Sequence, residues 1–322
     1  MTQPCPVVNP ISASATQPDM TGDWKGLSSL EGKEYLGQTN PFRRDLLEGS
    51  TAIVTGGGSG IGRGIASALA VCGATVVVVG RRLERLESVV EELGSCGIKA
   101  HAISCDVRNP DAVEGAVDAI QQAVGLVDLL VNNAGATFTA PAEQLSPNGF
   151  RAVVETDAFG TFYMCQAVGR RLIDERSGGA ILNITSTSPY TGNPGRVHGG
   201  MGKAAVESLT KSLAVEWGTY DIRVNSLAPG YTPTEGVNHA TGALNEADVD
   251  KRADGVPLRR VGLILDIAWP AVFLLSRAAS YITGASLVVD GGRWMSSGRF
   301  FDRTLPTRHN TNYHNPNSER TG

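Results

Sequence analysis

Of 322 residues, 41% are hydrophobic and 19% charged, the balance of a folded globular chain, and no apolar run approaches the ~20 residues of a membrane helix. The formal net charge of −4 gives no general reason to bind nucleic acid or an anionic membrane. Five cysteines, scattered and odd in number, lack the spacing of a zinc site or a disulfide framework, and no metal is expected.

The first 48 residues are polar and aperiodic, carry Asp19, Asp23, Glu31 and Glu34, and show no apolar signal core, so an irregular arm is expected. From residue 49 short β-branched runs alternate with amphipathic stretches. Strands are predicted over 51–55, 74–80, 100–104, 127–131, 180–185, 223–227 and 286–290. Helical periodicity falls between them, over 61–72, 83–93, 110–124, 150–174, 200–217 and 265–276. Such alternation predicts a single doubly wound α/β (Rossmann) domain over 49–294, with a seven-stranded parallel sheet flanked by helices on both faces. Residues 295–322 read as a polar tail.

Directly after the first strand comes Thr55-Gly56-Gly57-Gly58-Ser59-Gly60-Ile61-Gly62. Glycines at this spacing let the backbone turn tightly, approach a pyrophosphate and aim a helix N-terminus at its charge. A glycine-rich turn alone also simply permits a turn; the strand–turn–helix setting points to a dinucleotide. The second strand ends in Gly80-Arg81-Arg82 where a carboxylate would serve NAD. Guanidinium groups there suit the 2′-phosphate of NADP, although both could also be solvated charges opening the next helix.

These marks, followed in order by Asp106-Val107, Asn132-Asn133-Ala134-Gly135, Asn183-Ile184-Thr185-Ser186, Ala228-Pro229-Gly230 and Val289-Asp290-Gly291-Gly292, make residues 50–293 resemble the short-chain dehydrogenase/reductase family. The resemblance implies that Asp106 and Val107 flank the adenine, that Asn133, Ala134 and Gly135 lie along the adenosine ribose, and that Pro229, Gly230 and Thr234 frame the nicotinamide. It also implies a homodimer or homotetramer built on the helices over 150–174 and 200–217.

Members of that family generally use Asn, Ser, Tyr and Lys, the tyrosine four residues before the lysine. Here Ser186 and Lys203 are kept, but the tyrosine position is Gly199 and the asparagine position is Asp157. Glycine offers no acid, so another donor is required or the chemistry needs none. Lys203 and Glu207 are four apart on one predicted helix and share a face. The altered set resembles the peroxisomal 2,4-dienoyl-CoA reductases, which implies NADPH-dependent reduction of a conjugated double bond, with the proton delivered by a water held by Lys203 and Glu207 and with Asp157 nearby. Glu207 is one methylene longer than that subgroup's aspartate. The final residues, Glu319-Arg320-Thr321-Gly322, are not a peroxisomal tripeptide, and a cytoplasmic location is expected.

Tyr190, close in sequence to Ser186 and Ser188, is an alternative proton donor for a carbonyl reductase; a lid or packing role is the plainer reading. His198 reads as a loop hydrogen-bonder. A protein that binds NADP but catalyses no redox step is the third class. In each case the expected partner is a small molecule, a conjugated enoyl or carbonyl compound, with no nucleic acid and no membrane.

Overall fold

The computed structural model describes residues 40–237 and 246–296. Most of the expected arm, through residue 39, and the expected tail from 297 onward lie outside the described residues. Seven strands form one parallel sheet: β1 (Thr51–Thr55), β2 (Thr75–Gly80), β3 (Ala100–Ser104), β4 (Leu129–Asn132), β5 (Gly179–Ile184), β6 (Ile222–Pro229) and β7 (Ser286–Val289). Their order is β3-β2-β1-β4-β5-β6-β7. The order reverses between β1 and β4, and the crevice beyond their carboxyl ends is where such a sheet binds ligands.

Alternation along β1 shows why both faces must be covered. Ala52 and Val54 enter one core layer with Val76 and Val78, whereas Ile53 enters the other with Val77 and Val79. Helices α1 (Gly60–Val71), α2 (Leu83–Ser95) and α9 (Ile264–Leu275) close the first face; the second is closed by α3 (Pro110–Val124), α5 (Gly160–Glu175) and α7 (Val197–Trp217). Residues 40–48 pack on this body instead of leaving it. Leu47 is buried in the first layer, and Phe42 stands edge-on to Trp269 at 6.1 Å.

The helix expected over 150–174 is in fact three pieces. α4 (Pro147–Val154), N-capped by Ser146, runs into a π turn (Glu155–Phe159) and then into α5. The wider turn carries Asp157, at the kind of position where π turns recur in functional sites. Two helices were not expected, α6 (Ser188–Thr191) and α8 (Glu246–Asp254), because one is a single turn and the other has little apolar periodicity. Among the described residues no helix is long and apolar enough to cross a membrane.

Candidate active site

The glycine turn between β1 and α1 is tied to the loop after β4. Thr55 Oγ1 accepts hydrogen bonds from the amides of Asn133 and Ala134, each at 3.0 Å, and Asn133 Nδ2 donates to Thr55 O at 3.0 Å. A Cβ on Gly62 would lie 2.3 Å from Asn133 Nδ2 and 2.4 Å from Gly56 O, so this close approach requires glycine. Gly56 and Gly60 have φ of +65° and +53°, the left-handed region that glycine enters without strain. Ser59 supplies the extended N-cap of α1, Ile61 and Gly62 form its first turn, and Thr234 lies over Gly60, 3.3 Å from where a Cβ would be. The result is a bare backbone cradle of the kind a pyrophosphate fills.

Arg81 and Arg82 are exposed at the end of β2. Asp106 lies just beyond β3, within the influence of the Arg81 charge. Its carboxylate accepts from Arg108 Nε at 3.0 Å, and this contact, aided by Arg81, holds its pKa below the ordinary value. Val107 is buried against Gly160, and Gly135 lies where a Cβ would come 3.4 Å from Lys203 Nζ. Pro229 ends β6, and Gly230 packs on Asp290 too closely for a side chain. A bidentate pair between Arg85 of α2 and Glu235, at 2.9 and 2.8 Å, joins the arginine side of the cleft to the segment after Thr234.

Lys203 and Glu207 stand one turn apart on α7, and their partners differ. Lys203 Nζ donates to Ile184 O at 3.0 Å and lies 3.8 Å from Asp157 Oδ2. Asp157, almost wholly buried, also accepts from the Ala136 amide at 2.9 Å; burial raises its pKa, opposed by the Lys203 charge. The Glu207 carboxylate accepts from Thr185 Oγ1 at 2.7 Å, from Ser226 Oγ at 3.0 and 3.1 Å, and from Ser286 Oγ at 3.0 Å. Ile184 and Thr185 are consecutive, so the ammonium on the carbonyl of one and the carboxylate on the hydroxyl of the next are held as neighbours without pairing directly.

Ser186, just beyond β5, accepts from the Ser188 amide at 3.3 Å. Tyr190 on α6 donates to Ser286 Oγ at 2.8 Å and packs on Trp294 with ring centroids 5.6 Å apart. Burial is the main cause that raises its pKa. His198 is not in a loop: it is buried in the first turn of α7, its ring 4.4 Å from that of Phe138, and burial lowers its pKa. At Gly199 the nearest atom to an added Cβ is Thr137 Oγ1 at 3.8 Å. The hydroxyls of Thr185, Ser226 and Ser286 were missed by sequence reasoning. In the sequence they are only a threonine just past β5, a serine inside β6 and a serine opening β7.

The family model described as enoyl-(acyl carrier protein) reductase matches residues 56–293. The chain belongs to the short-chain dehydrogenase/reductase family and is an oxidoreductase. Among its curated relatives is a peroxisomal 2,4-dienoyl-CoA reductase of Arabidopsis thaliana, named as (3E)-enoyl-CoA-producing, 42% identical over 268 residues, covering 81% of this chain and 89% of the relative. A probable 2,4-dienoyl-CoA reductase of Bacillus subtilis, named as (2E)-enoyl-CoA-producing, is 40% identical and covers 78% of this chain and 98% of its own. Among solved structures, a gluconate 5-dehydrogenase from Burkholderia cenocepacia in complex with NADP and tartrate superposes with a TM-score of 0.73 at 34% identity, covering 78% of this chain and 97% of that one. Within the family this chain stands close to the dienoyl-CoA reductase group.

Proposed function

We propose that the protein is an NADPH-dependent reductase of a conjugated carbon–carbon double bond, 2,4-dienoyl-CoA reductase-like, acting on an acyl-CoA or a specialised metabolite. The observation that carries this reading is the pairing of Gly199, where an acid is missing, with Lys203 and a buried Glu207 one turn on. NADPH, when bound, supplies the hydride. Gly56 to Gly62, Asn133 to Gly135, and Pro229, Gly230 and Thr234 would hold it, with Arg81 and Arg82 at the 2′-phosphate; each arginine is exposed and within reach of the groove by its place at the end of β2.

Hydride delivered to the far end of a 2,4-dienoyl system leaves a dienolate, and a proton is then placed on carbon. No acid need stand beside a carbonyl oxygen. Lys203 and Glu207 hold the water that gives this proton; a bridging water is compatible with their attachment to Ile184, the last residue of β5, and to Thr185 just after it, without direct pairing. Asp157 keeps the Lys203 ammonium in place. Ser186 lines the same end of β5. Protonation at the carbon beside the thioester gives a 3-enoyl product, and protonation further out gives the 2-enoyl isomer.

The test is NADPH consumption with a 2,4-dienoyl-CoA and with a simple ketone, followed by identification of the product. Turnover of the dienoyl-CoA and neglect of the ketone is expected; the reverse preference would overturn the reading in favour of a carbonyl reductase. Binding of NADPH with no turnover of either class would favour a non-redox protein. Tyr190 is a weaker direct donor because its hydroxyl is given to Ser286 and its pKa is raised. A cytoplasmic location and a homo-oligomeric state belong to the same proposal.

A further inference from the structure

Reduction by hydride plus proton consumes one proton per turnover, so an acid sealed inside the protein needs a route to solvent. Glu207 is 5% exposed, and two of its hydroxyl neighbours, Thr185 and Ser226, are buried as well. The third neighbour leads outward. Ser286 donates to Glu207 Oε1 at 3.0 Å and accepts from Tyr190 at 2.8 Å, and Tyr190 is 42% exposed. Both hydrogen bonds run inward, from phenol to serine and from serine to carboxylate. The three groups come from α6, β7 and α7, and Ser286 is placed by its register opposite Ser226. Among the hydrogen bonds of the described residues around Glu207, this is the one that ends on an exposed side chain.

We propose that Ser286 is a positioning residue that links the exposed Tyr190 to Glu207 and so completes the path by which the carboxylate recovers its proton. The proposal rests on the function proposed above, with a protonated Glu207 giving its proton in turn to the hydroxide that the held water leaves behind. Once Glu207 has lost that proton, Ser286 gives its hydroxyl proton to Oε1 and takes the phenol proton of Tyr190, whose oxygen takes one from water. Serine and tyrosine end as they began, and the net transfer is one proton from solvent to the carboxylate. The two sequence-derived candidates for the donor thereby become two ends of one chain, Glu207 inside and Tyr190 at the surface.

The test compares Ser286→Ala and Ser286→Thr with the wild-type enzyme under NADPH and a dienoyl-CoA, recording the first turnover by stopped flow and then the steady state. Ser286→Ala is expected to keep a first turnover close to wild type and to lose roughly tenfold in steady-state kcat, less than the 10²–10⁴ that general acid help supplies as a whole. A small buffer acid such as imidazolium should restore the lost rate. Ser286→Thr, which keeps a hydroxyl, should stay near wild type. An unchanged steady state in Ser286→Ala overturns the relay, as does a first turnover slowed as much as the later ones, because Ser286 would then only shape the site. A wild-type enzyme inert toward dienoyl-CoA, or a Glu207→Gln variant of full activity, would remove the underlying assignment and the relay together.

Discussion

Two carboxylates within the site have opposite surroundings, and the difference decides what their removal should do. Glu207 receives three hydroxyl donors, whereas Asp157 has one amide and a lysine 3.8 Å away. With Glu207 as the proton source, Glu207→Gln should cost on the order of 10²–10⁴ in kcat, the scale of general acid catalysis, and considerably more than Tyr190→Phe. Steady-state rates with a dienoyl-CoA check this, and the opposite ranking would return Tyr190 to the role of direct donor. Asp157 makes a different prediction. Burial raises its folded-state pKa above the ordinary 3.8, so its contribution to stability is present below that value and is lost as pH rises through the folded pKa. Thermal unfolding from acid toward neutral pH should therefore show the wild type losing stability relative to Asp157→Asn; parallel curves would contradict the shift.

Elements, more than residues, set the cleft. The pair between Arg85 of α2 and Glu235 spans from the arginine end of the cofactor groove to the segment that follows Thr234. Both side chains are solvent-accessible, so the effect is modest: Glu235→Ala should speed NADPH release by about two- to fivefold, and added salt should do the same to the wild type. Stopped-flow displacement of the nucleotide measures it, and an unchanged, salt-independent rate would show that the pair does not gate the groove. The strands were legible in the sequence to within two residues and six helical segments to within three, because strands buried on both faces read as apolar runs and helices as 3.6-residue periodicity; α6 and α8 were not. What could not be read was any feature made by distance. Ser226 and Ser286 meet through strand register, and Thr185 joins them from just beyond a third strand, so nothing local marks the hydroxyl cradle of Glu207. The π turn at Glu155–Phe159 was hidden too, since a shift in backbone pairing leaves the apolar pattern almost intact. Asp157 was legible as a departure from the family pattern, expected near Lys203 and Glu207; its bond from the Ala136 amide was not.

At the scale of the molecule, the groove proposed for the cofactor straddles the β1/β4 boundary, where the first three strands meet the last four. A ligand there binds only the assembled fold and stabilises it by about 2.7 kcal/mol at a hundred times its dissociation constant. For a domain of this size that raises Tm by roughly 5–10 °C. NADPH should give a larger shift than NADH at equal concentration, and replacing Arg81 and Arg82 with alanine should erase the difference; equal shifts in the wild type would remove the case for the 2′-phosphate. Phe159, beside α5, and Phe162 of α5, with Met201 and Val215 of α7, are large apolar side chains left exposed on this single chain. Light scattering should accordingly give a multiple of the monomer mass, lowered by Val215→Glu; a monomer throughout would end the expectation of a dimer or tetramer.

The order of the strands also bears on how the chain is made. β1 is buried on both faces and is flanked by β2 on one side and β4 on the other, yet β4 is synthesised only after β2 and β3. During that interval a nascent chain carries an apolar strand with one row of amides and carbonyls unclaimed, a template for the wrong neighbour. Synthesis paused before Leu129 would leave a species dependent on chaperones, and the enzyme is safe from that hazard only once Leu129–Asn132 has docked.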